Sequence, residues 1–186
     1  MAAGDLTPAQ TVGPFFAPLL HDGWNHVPGA AADRIRIEGM VIDGDGAPVP
    51  DAMLEIWHAD PMGHYAHPAD AGPGPSEERE GFGRAGTDES GRYWFTTTKP
   101  GSVPHPSGIQ QSPHVVVQVF ARGLLDHLTT RMYFADDELE RDPVLSSVPE
   151  ERRGSLLAQR ADQGGRVVYR FDVVLQGDGE TVFFEP

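Results

Sequence analysis

Glycine and proline are so frequent along this chain that they limit how long any helix or strand can be. Its 186 residues include 17 prolines and 22 glycines, spread over the whole length. Proline lacks a backbone donor and glycine weakens the interior of a helix, so both residues favour short strands joined by turns. The sequence therefore predicts an all-β fold, a β-sandwich with long loops.

Alternation of apolar and polar residues marks the predicted strands. Ile35, Ile37 and Val41 fall on one face of a strand over residues 34–42, because side chains alternate between the two faces of a strand. Further strands are predicted over residues 53–57, 92–97, 115–120, 128–134, 167–175 and 181–184. Residues 61–86 are rich in glycine but lack this alternation, so we interpret them as an ordered loop.

One short helix is predicted after Ser147. A serine followed three residues later by Glu150 forms a capping box, and Pro149 is tolerated in the first turn of a helix. We expect this helix to run to about residue 162 and to end at Gly164 and Gly165.

The chain shows no internal repeat and no linker, so we expect a single domain. An N-terminal arm and lead-in over residues 1–33 is rich in proline and glycine and ends before the first predicted strand. The β-domain then covers residues 34–186.

Acidic side chains outnumber basic ones by 28 to 14, which gives a formal net charge of −14. This charge repels phosphate groups, so we expect neither nucleic acid nor a membrane surface as a partner. An anionic small substrate would need a local arginine. The chain has no cysteine, no apolar run of about 20 residues and no signal-peptide pattern at its start. We therefore predict a soluble, cytoplasmic protein.

Four short motifs contain the residues best suited to chemistry. They are Trp57-His58-Ala59-Asp60, Gly63-His64-Tyr65, Lys99-Pro100-Gly101 and Pro113-His114. In this order and spacing they resemble the intradiol ring-cleaving dioxygenases, and the resemblance extends from Thr7 to Phe184. It implies a β-sandwich of the intradiol dioxygenase and transthyretin-like type. It also implies a non-haem ferric ion, Fe(III), that catalytic chains hold with two tyrosines and two histidines.

Two of the four ligand positions that the resemblance implies have no donor atom. The positions map to Tyr65, Val103, His114 and Val116. Residues i and i+2 of a strand share a face, so a His-x-His pair can hold one metal ion, but a valine has no lone pair to donate. Catalytic chains also have an arginine where this chain has Gln111. We therefore expect no metal site in this chain, with Tyr65 and His114 as remnants.

These residues could instead have purely structural roles. Tyr65 would pack at the rim of an inactive pocket, and His114 would bond to a neighbouring carbonyl. The other histidines of this region would be loop residues with ordinary solvation; they are His58, His64, His67 and His105.

Arg131 is the best candidate for substrate binding. Alternation places it on one face of its strand with Thr129 and Tyr133. From the residues alone it would be a surface arginine paired with Asp136 or Asp137. The resemblance implies instead that it faces the pocket of a partner subunit and holds a substrate carboxylate.

The resemblance also implies that the N-terminal arm packs on the partner and lines its pocket. The positions carried over are Thr11, Gly13 and Pro14, followed by Phe15 where the family usually has a tyrosine. Phe15 keeps the apolar wall but lacks the hydroxyl group.

The function implied by the resemblance is that of a non-iron-binding alpha subunit. It would complete the pocket of a homologous catalytic beta subunit, which holds the Fe(III) and cleaves protocatechuate with O2 to 3-carboxy-cis,cis-muconate. The chain alone would be inactive. One alternative is a transthyretin-like binding or structural module without an enzymatic partner, which would account for residues 34–103. Another is a self-sufficient dioxygenase, against which the two valines argue.

Overall fold

The computed structural model describes residues 19–29, 34–70, 72 and 80–185, which form a mainly β structure. The strands are β1 (Arg34–Ile42), β2 (Met53–Trp57), β3 (Phe82–Gly86), β4 (Arg92–Thr98), β5 (Val103–Pro104), β6 (Gln110–Gln111), β7 (His114–Phe120), β8 (Leu128–Phe134), β9 (Leu157–Gln163), β10 (Arg166–Arg170) and β11 (Val173–Val174). Two short helices, α1 (Pro143–Ser147) and α2 (Glu150–Arg153), precede a 3-10 turn over Gly154–Leu156. The predicted predominance of strands is confirmed.

Nine of the strands in the described part of the chain form one mixed sheet. Its order is β11-β1-β10-β9-β8-β7-β2-β3, and β4 pairs with β1. The pairs β1–β10, β1–β11 and β8–β9 are parallel, whereas β7 is antiparallel to both β2 and β8. The short strands β5 and β6 form a separate ribbon. Because β7 is paired along both edges, it is a rigid support for the side chains that it carries.

Alternate residues of these strands build the core. On β1, Ile35, Ile37 and Val41 are buried as predicted. On β7 the core face is formed by Val115, Val117 and Val119, which pack in the same cluster. Burial of one such side chain contributes about 1.5–3 kcal/mol. The opposite face of β7 is therefore free to carry other chemistry without loss of this packing.

A second buried cluster lies under α1 and is formed by Tyr133, Leu145, Val148 and Leu156. Asp142 caps α1, since its Oδ1 accepts from the backbone N–H groups of Val144 at 3.0 Å and Leu145 at 2.7 Å. Its Oδ2 accepts from the N–H of Ser112 at 2.8 Å. This buried carboxylate thus ties the helix to the segment that enters β7.

The helix predicted after Ser147 is wrong beyond Arg153. Residues 157–163 form β9, which pairs with β10 and touches β8. Gly164 and Gly165 have φ angles of +58° and +80° and form the two-residue turn between β9 and β10, as type I′ hairpins require. The long-range pairing of β9 outweighs the local helix signal.

The predicted capping box is also absent. Ser147 donates its hydroxyl to the carbonyl of Val144 at 2.7 Å, at the end of α1. The N-cap of α2 is Pro149, which makes no side-chain capping bond. The described residues therefore contain two short α-helices where one helix was predicted.

Three other boundaries differ from the prediction. The strand predicted over 167–175 is interrupted between β10 and β11, and the one over 181–184 makes only a single bridge, from Phe184 to Thr129. The predicted loop over 61–86 ends in β3. Its Gly83 has no room for a side chain, because a Cβ atom would lie 2.6 Å from Val27. Because glycine takes the place of an apolar side chain at this buried position, the alternation of apolar and polar residues that marks other strands is missing from β3.

Residues 25–29 of the predicted lead-in lie along β4, whereas the carbonyl groups of Leu19 and Trp24 accept hydrogen bonds from Arg84 of β3. The N–H of Val27 donates to Thr96 at 2.8 Å, and the N–H of Thr96 donates to Asn25 at 2.8 Å. The predicted pocket residues of the arm, Thr11, Gly13, Pro14 and Phe15, lie outside the described residues. Within the described ranges no helix is long and apolar enough to cross a membrane.

Candidate functional site

One face of β7 and β8 brings three of the predicted site residues together, His114, Val116 and Arg131. In the register of the two strands His114 is opposite Tyr133 and Val116 is opposite Arg131. On the other side of β7, Trp57 of β2 is opposite Val116. Directly opposite residues share a face, with their Cβ atoms about 4.5–5.5 Å apart. We call the set Trp57, His114, Val116, Arg131 and Tyr133 the remnant face.

Tyr65 joins this face from the loop after β2. Its ring stacks on that of Trp57, with centroids 6.0 Å apart and planes 13° from parallel. Its backbone N–H donates to Asp70 at 2.9 Å, which fixes the loop. Burial raises the pKa of the Tyr65 phenol, and the positive charge of Arg131 offsets part of that rise.

A close backbone contact holds the Tyr65 loop against β5. Gly63 has a φ of +87°, and a Cβ atom there would lie 2.1 Å from the carbonyl oxygen of Ser102. Only glycine satisfies both conditions. The N–H of Gly101 also donates to Asp60 at 2.9 Å. The loop of Tyr65 is thereby set beside the strand that carries Val103.

The ribbon of β5 and β6 connects the remaining ligand position to Arg131. Val103 is buried and is paired with Gln111 across the ribbon. The side-chain oxygen of Gln111 accepts a hydrogen bond from Nη1 of Arg131 at 2.7 Å. The positions Tyr65, Val103, His114 and Val116 are thus all linked to Arg131 by register, hydrogen bonding or charge.

The interpretation of Arg131 as a surface ion-pair residue is wrong. Asp137 pairs with Lys99 at 2.6 Å, and Asp136 lies 3.6 Å from Nε of Arg160. In the described part of the chain no carboxylate forms an ion pair with Arg131. Its guanidinium is held by the neutral amide of Gln111 and lies beside the hydroxyl of Tyr133, so its described hydrogen-bonding neighbours leave its positive charge in place.

His114 is a hydrogen-bonded strand histidine, as the structural interpretation predicted. Its Nδ1 lies 2.8 Å from the carbonyl oxygen of Ser112. A carbonyl only accepts, so Nδ1 carries the hydrogen and donates it. Burial lowers the pKa of His114, and the positive charge of Arg131 acts in the same direction. The ring is therefore neutral at neutral pH.

Tyr133 of the remnant face is anchored by Asp142, the residue that caps α1. The hydroxyl of Tyr133 donates to Oδ1 of Asp142 at 3.1 Å. Burial raises the pKa of Tyr133, and the negative charge of Asp142 adds to the rise. Tyr133 therefore stays protonated and acts as a donor, and the face is fixed to α1.

The prediction of ordinary solvation is wrong for His58. Its side chain is 2% exposed; Nδ1 lies 2.7 Å from the carbonyl of Ala59 and Nε2 lies 2.6 Å from the hydroxyl of Thr97. Burial lowers its pKa. His67 is exposed and His64 and His105 are partly exposed. His58 is thus a structural residue behind the site.

The donor set of this chain does not fit a ferric ion. Tyr65 and His114 supply one donor each, while the side chains of Val103 and Val116 supply none. In the ranges that the structure describes, no group of three or more His, Cys, Asp or Glu side chains could hold a metal.

Sequence reasoning missed two contacts of the site. Asp142 precedes a proline, a pair typical of a helix start, so its cap could have been predicted. The bond between Gln111 and Arg131 joins residues 20 positions apart and has no local signal. Gln111 was noted only for the arginine that it replaces.

Comparison with known proteins places these residues in a family. A family model described as Dioxygenase matches residues 19–177. The protocatechuate 3,4-dioxygenase alpha chains of Pseudomonas putida and Burkholderia cepacia are 37% and 41% identical to this chain, each over 96% of both proteins. The beta chain of the Burkholderia cepacia enzyme is 35% identical over 80% of this chain and 67% of its own length.

The fold has a counterpart among solved structures. The structure of catechol 1,2-dioxygenase from Acinetobacter sp. ADP1 inhibited by bound mercury matches 87% of this chain with a TM-score of 0.64 and 22% identity. This chain spans 60% of that structure. At this identity the likeness concerns the fold alone.

Proposed function

Because this chain belongs to the intradiol ring-cleaving dioxygenase family, we propose that it is the alpha subunit of a protocatechuate 3,4-dioxygenase. The observation that carries the proposal is the remnant face itself. In the correspondence that the resemblance implies, His114 of this face and Tyr65 beside it stand at two of the four ligand positions. Val116 of the same face and the buried Val103 take the places of the other two donors. The identity of 37–41% to alpha chains over nearly the whole length supports it.

The proposal extends to the architecture. We assign the chain to the β-sandwiches of the transthyretin-like type. Support comes from β1 and β7, which are separated by three strands in the sheet order and yet bury alternate residues in a common core, as the facing halves of a sandwich do. The absence of cysteine supports a cytoplasmic location.

The partner in this proposal is a homologous beta subunit that holds Fe(III). The alpha and beta chains of the Burkholderia cepacia enzyme are both similar to this chain, which supports a heteromer of related subunits. When bound in the beta subunit, ferric iron supplies the activation of the catechol ring for cleavage by O2. The product would be 3-carboxy-cis,cis-muconate, and the part of this chain would be to position the substrate.

Arg131 is the residue we propose for the substrate carboxylate. It is partly buried, it lies on the remnant face, and its described acceptor is the neutral Gln111. The net charge of the protein is −14, so its long-range field repels an anionic substrate. The attraction for the substrate carboxylate therefore has to come from a nearby guanidinium. Thr11, Gly13, Pro14 and Phe15 of the arm would form the apolar wall of the same pocket.

Expression of the chain with and without a beta subunit tests the proposal. The heteromer should cleave protocatechuate and contain iron, while the chain alone should show neither stoichiometric iron nor the visible tyrosinate-to-ferric absorption. A chain that binds one equivalent of iron by itself, or that never co-purifies with a catalytic homologue, would contradict the proposal.

The alternative of an independent transthyretin-like module accounts for less of the molecule. It leaves the segment after Val103 unexplained, whereas the family match continues through β7 and β8 to residue 177.

A further inference from the structure

The hydrogen bond between Gln111 and Arg131 joins two separate parts of the fold. Gln111 belongs to β6 and Arg131 to β8, and the two side chains meet at 2.7 Å. Gln111 is 8% exposed, so water competes little for this bond. Together with the Tyr133 hydroxyl, which also hydrogen-bonds the guanidinium, this bond fixes where the guanidinium points.

Gln111 is itself held on several sides. Its backbone pairs with Val103, and its Nε2 lies 3.4 Å from the carbonyl oxygen of Pro104. The next residue, Ser112, donates its N–H to the buried Asp142 at 2.8 Å and its hydroxyl to Glu138 at 2.8 Å. The amide oxygen that Arg131 meets is thus a fixed acceptor.

The neutrality of this acceptor matters for the charge of Arg131. An arginine at position 111, as in the catalytic chains that this chain resembles, would place two positive groups in contact, and they would repel each other. A carboxylate would hold Arg131 but would neutralise it. An amide oxygen directs the guanidinium and leaves its positive charge available to a ligand.

We propose that Gln111 is a positioning residue that directs Arg131 towards the substrate carboxylate. It would thereby set the preference of the assembled enzyme for carboxylated catechols over catechol itself. This inference rests on the proposed function and extends it to a residue that does not touch the reacting atoms.

The test uses the heteromer with the beta subunit and two substrates, protocatechuate and catechol. Gln111→Ala should raise KM for protocatechuate about three- to tenfold, less than loss of Arg131 itself, because Arg131 keeps its charge and loses only a contact that directs it. Its kcat, and the KM for catechol, should change less than about twofold. Gln110→Ala is the matched control, since Gln110 is the exposed neighbour on β6, and it should leave both KM values unchanged.

Gln111→Glu separates position from charge. It has the same shape and keeps an acceptor, but it neutralises Arg131. It should therefore raise KM for protocatechuate at least as much as the alanine variant. Its similar shape also keeps the proposal testable if Gln111→Ala does not assemble with the beta subunit.

Three outcomes would overturn the inference. Equal losses for both substrates in Gln111→Ala would show a role in folding or assembly. A Gln111→Glu enzyme with an unchanged KM for protocatechuate would show that neutrality is irrelevant. An unchanged KM in Arg131→Ala would instead refute the proposed carboxylate contact, whereas a raised KM there with no effect of Gln111→Ala would refute only the role of Gln111.

Discussion

The two faces of β7 contain the same residue type under different constraints. Val115, Val117 and Val119 face the core, where they are at most 2% exposed. Val116 lies between them in sequence but on the remnant face, opposite Arg131. On the core face the valine side chains are needed to fill the core. On the remnant face the valine matters because its side chain has no atom that can donate a lone pair. Because alternation separates the two faces, a strand can lose a metal ligand without losing its core.

The largest expected effect is the difference in stability between two variants of β7, one with a charge on the core face and one with a charge on the remnant face. Val117→Asp would bury an unpaired carboxylate and should destabilise the protein by about 4 kcal/mol or more. Val116→Asp should cost less than about 1 kcal/mol, because the carboxylate would lie opposite Arg131. The free energies of unfolding in urea measure both. Equal losses would show that the two faces are not independent.

The second largest expected effect is on substrate binding by Arg131. Arg131→Ala in the heteromer should raise KM for protocatechuate by roughly ten- to a hundredfold, since a hydrogen-bonded charge pair contributes about 1.5–3 kcal/mol. The KM for catechol should hardly change. Arg122→Ala is the control, because Arg122 is exposed and pairs with Asp51 at 2.7 Å. A similar rise in that variant would rule out a specific role for the remnant face.

The smallest effect is a pH dependence of stability. Burial lowers the pKa of His58 and of His114 below the ordinary 6.5, so below that pH the unfolded chain binds protons that the folded chain does not. Their contribution is complete above about pH 6.5 and is lost as the pH falls. The slope per histidine is at most about 1.4 kcal/mol per pH unit.

Urea unfolding at several pH values, with His114→Gln as the variant, separates the two histidines. Loss of about half of the slope in that variant is expected. An unchanged slope would mean that His114 of the remnant face does not titrate differently in the folded and unfolded states.

The fold was predictable wherever one strand shows its own alternation. The predicted strands over 34–42, 53–57 and 128–134 coincide with β1, β2 and β8. The helix prediction failed because a capping pattern reports only local preference, while β9 is fixed by partners far away in sequence. Glycine at position 83, required by the packing of β3, removed the alternation that would have revealed it.

The strand positions of His114, Val116 and Arg131 were predictable, as was the carbonyl partner of His114, but the partner of Arg131 was not. The resemblance identified the residues that meet on the remnant face. The partner of Arg131 was not predictable, because the acidic residues that follow it in sequence, Asp136 and Asp137, pair with Arg160 and Lys99. Residues far apart in sequence can pair with the same charged side chain, and which of them does so depends on the tertiary structure.

The parallel pairing of β1 has a consequence for the order of events during synthesis. Its partners β10 and β11 lie near the other end of the chain, and the bond from the N–H of Met40 to Asp172 spans 132 residues. At a translation rate of about 5–20 residues per second, β1 waits on the order of ten seconds for these partners. During that time one edge of the first strand is open to wrong pairing. The strand that is made first is therefore among the last to be completed.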